Sequence, residues 1–460
     1  MSSNILSRRR FLQVALGTSA AVALAACGPK ETPAPTTAPQ QGGEEAATVP
    51  AAEKEAQPAP AEAKDINFLC RADIKPAYAA DKAVEAWNAE FPSKITMDEP
   101  AAGVDLATKV QASQAAGDLI WDGFSLIEMP NSVAEWVLRG IISPLEDYIE
   151  ASTIPTAKTT IDSIIPSIKQ SVSFEGKQYG IPGNVGSVAL AWMWDALRAA
   201  GYEEQPKTWD EVYDCAKKIK EAKPDLIPFG SANTPLCDLY TLIWGATKNP
   251  IDADGLIDIR SEASIKALTW LRKMAEEELM PTTSTTTFQD WLKGGVGLIS
   301  SYDVAGTMNQ QTFGIEAADT GISFFVDEQD TYAGTPFWIN SSVLFNKAEN
   351  PQGMVDFYLW WFGPENKTTG KQIAEVAAKP CYTYTYDEFI KGRPEYEWEQ
   401  KGIDLVAKSV WFPANRYYSI VYNAVQPMVQ KAMDVDQEFT PEADMEEAYQ
   451  TAQEEISKMK

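Results

Sequence analysis

The sequence predicts an α/β body over residues 65–460, on three observations. Stretches rich in β-branched and aromatic residues alternate with stretches whose apolar residues recur at helical spacing. No fixed-period repeat and no apolar run long enough to span a membrane breaks that alternation. Residues 28–64, by contrast, hold seven Pro, ten Ala and six Glu but a single Val, too little apolar surface to offset the entropy of ordering the chain. The globular unit therefore starts near Asp65.

Taken in order, residues 65–70 (DINFLC) read as a strand, and Val84, Trp87 and Phe91 share one face of the helix that follows. Residues 118–124 (DLIWDGF) read as a buried strand between two helical segments. Thr208 and Glu211 form a capping box, in which hydroxyl and carboxylate satisfy the free amides of a first turn. The helix it opens carries Val212, Cys215, Ala216 and Ile219 at helical spacing. LIPFG (226–230) and VGLISS (296–301) read as further strands. Thr440 then precedes Pro441 in the first turn of a last helix, striped by Met445, Tyr449, Ala452 and Ile456.

Composition narrows the chemistry. The 460 residues carry 39 Lys plus Arg against 65 Asp plus Glu, a formal charge of −26, with five Cys, 14 Trp and no His. Without His there is no Ser-His-Asp or Cys-His nucleophile pair, no His-ligated zinc or haem and no imidazole acid or base. The acidic balance excludes a general nucleic-acid binder, which needs clustered Lys and Arg. Asp252, Asp254 and Asp258 around Gly255 lack the terminal Glu of a calcium loop and read as a turn joining strands. GPENKTTGK (363–371) has six residues between its glycines and no Ser or Thr after Lys371, and is no phosphate loop. No metal and no cofactor is expected.

The first 27 residues read as an address. Arg8, Arg9 and Arg10 precede an apolar run, Phe11–Leu24, that is too short for a spanning helix. Ser7–Leu12 resembles the twin-arginine export pattern. Leu24, Ala25, Ala26 and Cys27 resemble a bacterial lipobox, where cleavage leaves Cys27 to carry a diacylglyceryl group. An ordinary secretory signal with a chance Cys is the plainer alternative. Residues 1–26 are thus expected to be a signal peptide, Cys27 the lipid-attachment site and 27–64 a disordered linker. Loss of the three Arg leaves a charge of −29 on a body tethered at the outer face of the cytoplasmic membrane.

Four segments carry a resemblance. FEGKQYGIP (174–182) is similar to a Gly-Lys-x-Tyr-Gly-Ile-Pro strand, and LAWMWDALRAAGYEEQPKTWDEVYDCAKKIK follows it at the matching distance. WLKGGVGLISSYDVAGTM (291–308) matches a strand and turn in which Leu298 replaces the usual Met, and GTPFWINSSVLFNKAENPQGMVDFYLWWFGPENKTTG (334–370) matches a strand, turn and helix. Their order over about 65–460 resembles the extracellular solute-binding proteins (family 1, maltose-binding-protein-like) of carbohydrate-type ABC importers. The resemblance implies a two-lobed periplasmic-binding-protein-like fold (type II), with the ligand in a cleft between lobes joined by a hinge of two or three crossings. It places the first lobe at 65–183 plus 327–400 and the second at 184–326 plus 401–460. It also implies a monomer that hands a sugar or oligosaccharide to the permease subunits and catalyses nothing.

A pyranose offers an apolar face and an edge of hydroxyls, so its site needs aromatic platforms and planar polar side chains just beyond strand ends. Arg71 and Asp73 follow the first strand, as a ligand pair or a surface ion pair. Trp121 and Asp122 end the next, where the resemblance implies a stacking ring and a hydroxyl acceptor. Asn184 follows the Ile-Pro strand, and Asn233 with Trp244 follows LIPFG, with turn and core roles as the alternatives. Tyr302 and Asp303 close VGLISS; Trp338 stands at the Ile339 strand; Trp411, Arg416 and Tyr417 lie in the late segment WFPANRYY. Trp87, Trp209, Trp270 and Trp360 are expected in the core or in its support. Tyr382, Tyr384 and Tyr386 in CYTYTYDEF would share a face if extended, as a sugar strip or a covered surface. Cys70, Cys215, Cys237 and Cys381 are either buried thiols or, within the lobes above, the pairs Cys70–Cys381 and Cys215–Cys237. Three rivals stand beside a carbohydrate carrier: a carrier of polyamines or organic anions, a surface glycoside hydrolase whose paired carboxylates need no His, and an anchored adhesion or envelope-structural protein.

Overall fold

The computed structural model describes residues 64–459, apart from 73–78, 101–105, 130–132, 232–233, 282–286, 303–312, 329, 376–378 and 411–413. Among the described residues the strands are β1 (Ile66–Cys70), β2 (Ile95–Asp98), β3 (Gly123–Met129), β4 (Ser173–Phe174), β5 (Lys177–Gln178), β6 (Gly180–Met193), β7 (Ile227–Ser231), β8 (Val296–Tyr302), β9 (Thr320–Ser323), β10 (Phe337–Leu344) and β11 (Lys379–Pro380). β4 and β5 form a small hairpin, and the rest join one sheet in the order β2-β1-β3-β10-β6-β8-β7, with β9 and β11 also on β6. β1 runs parallel to β2 and β3, and β7 parallel to β8. β1 is apolar at Ile66, Phe68, Leu69 and Cys70, all buried, as befits a parallel strand covered on both faces.

The labelled helices are α1 (Ala80–Glu90), α2 (Leu106–Ala116), α3 (Trp209–Ala222), α4 (Glu262–Glu276), α5 (Pro351–Trp361), α6 (Thr383–Phe389), α7 (Glu397–Lys408), α8 (Tyr418–Met433) and α9 (Pro441–Lys458). On α1, Trp87 stacks 3.7 Å from Phe91 and meets Phe357 and Trp360 of α5 edge-on at 5.4 and 5.7 Å. The Thr208 cap holds as expected, its hydroxyl accepting from the Glu211 amide at 3.3 Å, and α3 buries Val212, Cys215, Ala216 and Ile219. α9 begins at Pro441 and buries Met445, Ala448, Ala452 and Ile456. Trp209 and Trp270 are buried beside each other at 6.2 Å.

Burial divides the apolar side chains into two cores. The first draws on Ile66–Val185, Phe337–Tyr382 and then Ile403 and Val406 of α7. The second draws on Ala189–Ala333 and on α8 and α9 from Tyr418 to Ala452. Relative to the boundaries implied by the resemblance, Val185, Ile403 and Val406 pack with the first core and Ala333 with the second.

One local expectation is corrected, and two open alternatives are decided. The strand expected at 118–124 starts only at Gly123, because Asp122 spends its carboxylate on the backbone amides of Asn67 and Asn350 at 2.7 and 2.8 Å. The tyrosine alternation is not extended: β11 stops at Pro380, which cannot donate to a ladder, and α6 takes up Thr383–Phe389. Tyr382 is buried, stacked 6.4 Å from Phe362, and its hydroxyl donates to the Pro182 carbonyl at 2.6 Å. Cys70, Cys215, Cys237 and Cys381 are buried thiols, so neither disulfide pairing forms. The Asp252 carboxylate accepts from the amides of Asp254 and Leu256, both at 2.9 Å, and so closes the turn on itself.

Candidate functional site

β6 belongs to both cores. Its first half pairs antiparallel with β10, from Val343 opposite Gly180 to Phe337 opposite Ser187. Its second half pairs with β8 from Val188 onward and with β9 from Leu190 onward. At that handover the Val188 amide donates to the Pro336 carbonyl at 3.1 Å, and the Thr335 hydroxyl donates to the Val188 carbonyl. A third passage lies against the second: the Thr335 amide donates to the Ser409 hydroxyl at 3.0 Å, and the Val410 amide to the Ala333 carbonyl at 2.8 Å. Gly334, at φ +104°, is needed here twice over, since a Cβ would both strain the backbone and overlap Ser409.

Beside this junction the register of β6 and β10 sets a small polar group on a hydrophobic floor. Asn340 lies opposite Asn184, and Trp338 opposite Gly186, so all four fall on one face of the pair while Val185 and Ile339 turn into the first core. The Asn340 Nδ2 donates to Asn184 Oδ1 at 3.0 Å. Asn184 and Asn340 are only 4 % and 5 % exposed, yet Asn340 Oδ1 is a buried acceptor with no donor among the described residues. The half-buried Trp338 lays its indole over Gly186, where any Cβ would overlap the ring. An aromatic plate, a carboxamide pair and a waiting acceptor together suit a ligand with hydroxyl edges and an apolar face.

In the second core a polar network closes the ends of β7 and β8. The Ser231 hydroxyl, at the end of β7, donates to Asp238, whose other oxygen accepts from the Thr234 amide at 2.6 Å. On the neighbouring strand the Ser300 hydroxyl donates to the Cys237 carbonyl at 2.5 Å.

The family model of the bacterial extracellular solute-binding proteins matches residues 82–375. This chain belongs to that family. An arabinooligosaccharide-binding protein of Bacillus subtilis (strain 168) is 22 % identical over 147 residues, 30 % of this chain and 34 % of the relative. The chain spans about a third to a half of the length of the curated relatives it matches. Over most of the body the fold is that of an ABC substrate-binding protein from Listeria monocytogenes solved with cycloalternan, with a TM-score of 0.71 at 16 % identity, covering 86 % of this chain and 99 % of that one. The sugar-binding protein MalE of Xanthomonas citri is similar at a TM-score of 0.70 and 17 % identity, covering 86 % and 98 %. The solute-binding protein is accordingly two-lobed, and its family is one of binding proteins rather than enzymes. Membership places it in the periplasm or outside the cell. Among the described residues no helix is long and apolar enough to cross a membrane, and no group of Cys, Asp and Glu could hold a metal ion.

Within the solute-binding protein, the residues expected from sequence at the ligand scatter. Asn184 and Trp338 come together at the junction. Trp121 does not join them: it is 4 % exposed, its indole N–H donates to Asp98 at 3.1 Å, and the Lys109 ammonium lies 4.9 Å over its ring. Asp122 is consumed by the two amides named above. Trp244 is fully buried in the second core and donates to the Val410 carbonyl at 3.1 Å. Both tryptophans serve packing, because distant segments close over them. Arg71, just past β1, is half-buried and its amide donates to Ser125 at 3.2 Å. Arg416 is exposed and lies 5.2 Å over the ring of Tyr417, itself half-buried ahead of α8. Asp73, Asn233, Asp303, Trp411 and Cys27 lie outside the described residues, as does the side chain of Tyr302. Asn340 was missed, although its polarity two residues beyond Trp338 in the apolar run FWINSSVL marks it on the same strand face.

Proposed function

We propose that this protein is the substrate-binding component of an ABC importer, that it captures an oligosaccharide between its lobes, and that it catalyses nothing. The observation that carries this reading is the unpartnered Oδ1 of buried Asn340, held by Asn184 beside the plate of Trp338. A sugar hydroxyl donates to that oxygen while the pyranose face rests on the indole. The oligosaccharides in the names of the similar proteins support the same ligand class. The lobes exchange the chain near 187–188, 333–337 and 409–410, and those three passages form the hinge. Arg71, Asp73, Asn233, Tyr302, Asp303, Trp411, Arg416 and Tyr417 stay within the proposal as further ligand contacts. The monomeric body is exported by the twin-arginine route, held at the membrane through Cys27 and presented to the permease on the linker 28–64.

Titration of the full chain with mono- and oligosaccharides, spermidine and citrate, followed by Trp fluorescence, tests the ligand class. A saturable change with an oligosaccharide is expected, with the share contributed by the junction site lost in Trp338→Ala. Response to spermidine or citrate alone would replace the carbohydrate, and turnover of chromogenic glycosides would make the protein a hydrolase.

A further inference from the structure

A second cavity, of about 890 Å³, opens between β9 and α7 at the far end of β6. Trp192, which lines it, stands eight residues along the strand from Asn184, so it lies ~26 Å from the junction site at the rise of an extended chain. Its walls come from both cores: Ile322 of β9 packs in the second, and Ile403 and Val406 of α7 pack in the first. We infer that this cavity is a second carbohydrate site, independent of the cleft, taking one or two pyranose units.

Four observations point to that ligand. Trp194 and Phe324, both half-buried, present rings to the cavity, with Trp194 edge-on to Trp192 at 5.5 Å. The Trp192 indole N–H is buried, in a side chain only 3 % exposed, and has no acceptor among the described residues. That edge of the indole lies against Gly321, a cavity residue at which any Cβ would overlap the ring. The ionic side chains nearly balance, three carboxylates (Glu316, Glu397, Asp404) against two ammonium groups (Lys401, Lys408), with Lys401 bridged to Glu397 at 2.8 Å. A wall of that kind favours a neutral ligand rich in donors and acceptors over a polycation or a polyanion. The volume falls in the range of small-molecule sites, about 300–1,000 Å³. Because opposite walls move with different lobes, an occupant also bears on the hinge.

The test uses the full chain labelled with 5-fluorotryptophan, with maltotriose as the probe and the Trp192 and Trp194 signals assigned through Trp192→Phe and Trp194→Phe. Maltotriose is expected to shift both signals saturably, in the parent and in Trp338→Ala alike. Ser323→Trp, which fills the cavity, is expected to abolish the shift while leaving the other tryptophan signals in place, and Trp194→Ala to weaken it at least tenfold. Loss of the shift in Trp338→Ala would mean that the two rings merely sense events in the cleft and would overturn the inference. So would a shift that survives Ser323→Trp, no shift with maltotriose, or a shift with spermidine instead. A cleft that ignores sugars while the Trp194 signal still responds would defeat the proposed function and leave this site standing.

Discussion

At Asn340 one oxygen decides between a structural and a binding role. Its amide group already serves Asn184, so the acceptor is free to take a hydroxyl. Asn340→Ala is expected to weaken oligosaccharide binding about tenfold to a hundredfold, as the loss of a buried hydrogen bond implies, measured by the same fluorescence titration. Trp121 and Trp244 behave in the opposite way. Trp121→Ala and Trp244→Ala should leave affinity unchanged and cost about 3–5 kcal/mol of stability in urea unfolding, the usual range for emptying a buried aromatic site. From sequence these three tryptophans look alike, each in an apolar setting beside or after a strand-like run. What separates them is cover supplied from afar: Asp98 and Lys109 for Trp121, and a carbonyl 166 residues further on for Trp244, whereas Trp338 is half-buried with its ring over Gly186. Chain position carries no trace of that difference, but the residue types a sugar site needs are legible, and of the positions chosen by type Asn184 and Trp338 fall on one face of the β6–β10 pair.

Elements whose signals are local were read well. The Thr208 cap of α3, the stripe of α9 and the aromatic face of α1 depend on residues within a few turns of one another, and they form where the spacing puts them. The misplaced strand at 118–124 and the tyrosine run at 382–386 depend on partners far along the chain. Asn67 and Asn350 fix Asp122, and Pro380 ends the ladder that an extended tyrosine run would need. Nor does any local pattern show that β6 continues unbroken through two cores. The glycine at the second crossing is the element on which that junction closes most tightly. Gly334→Ala should lower the thermal midpoint by several degrees, because a positive φ and contact with Ser409 both resist a Cβ. A calorimetric scan checks it, and an unchanged midpoint would show that the crossing yields.

For the whole molecule, three passages tied by backbone hydrogen bonds allow two lobes to rotate while the sheet stays intact. Small-angle scattering is expected to show a smaller radius of gyration when an oligosaccharide is bound, and an equal radius with and without sugar would count against closure. Stability should also fall on the alkaline side. Burial pushes the Cys215 thiol up to about 12 and raises Cys381, Tyr240, Tyr358 and Tyr382 well above their ordinary values. In the unfolded chain these groups ionise near 9.0 for the thiols and 10.0 for the phenols. The folded protein therefore holds protons that the unfolded chain releases, so the contribution of these groups is level below pH 9 and is lost progressively above it. Urea midpoints measured on either side of pH 9 check the sign.

The four buried thiols have one more consequence. A body that closes no disulfide needs no oxidant to reach its native state, and its cysteines are sealed from exchange once it does. Such a chain completes its fold in a reducing compartment and passes into an oxidising one unchanged. For a protein whose first residues resemble the signal that exports chains already folded, that indifference to redox potential would let folding come first and export second.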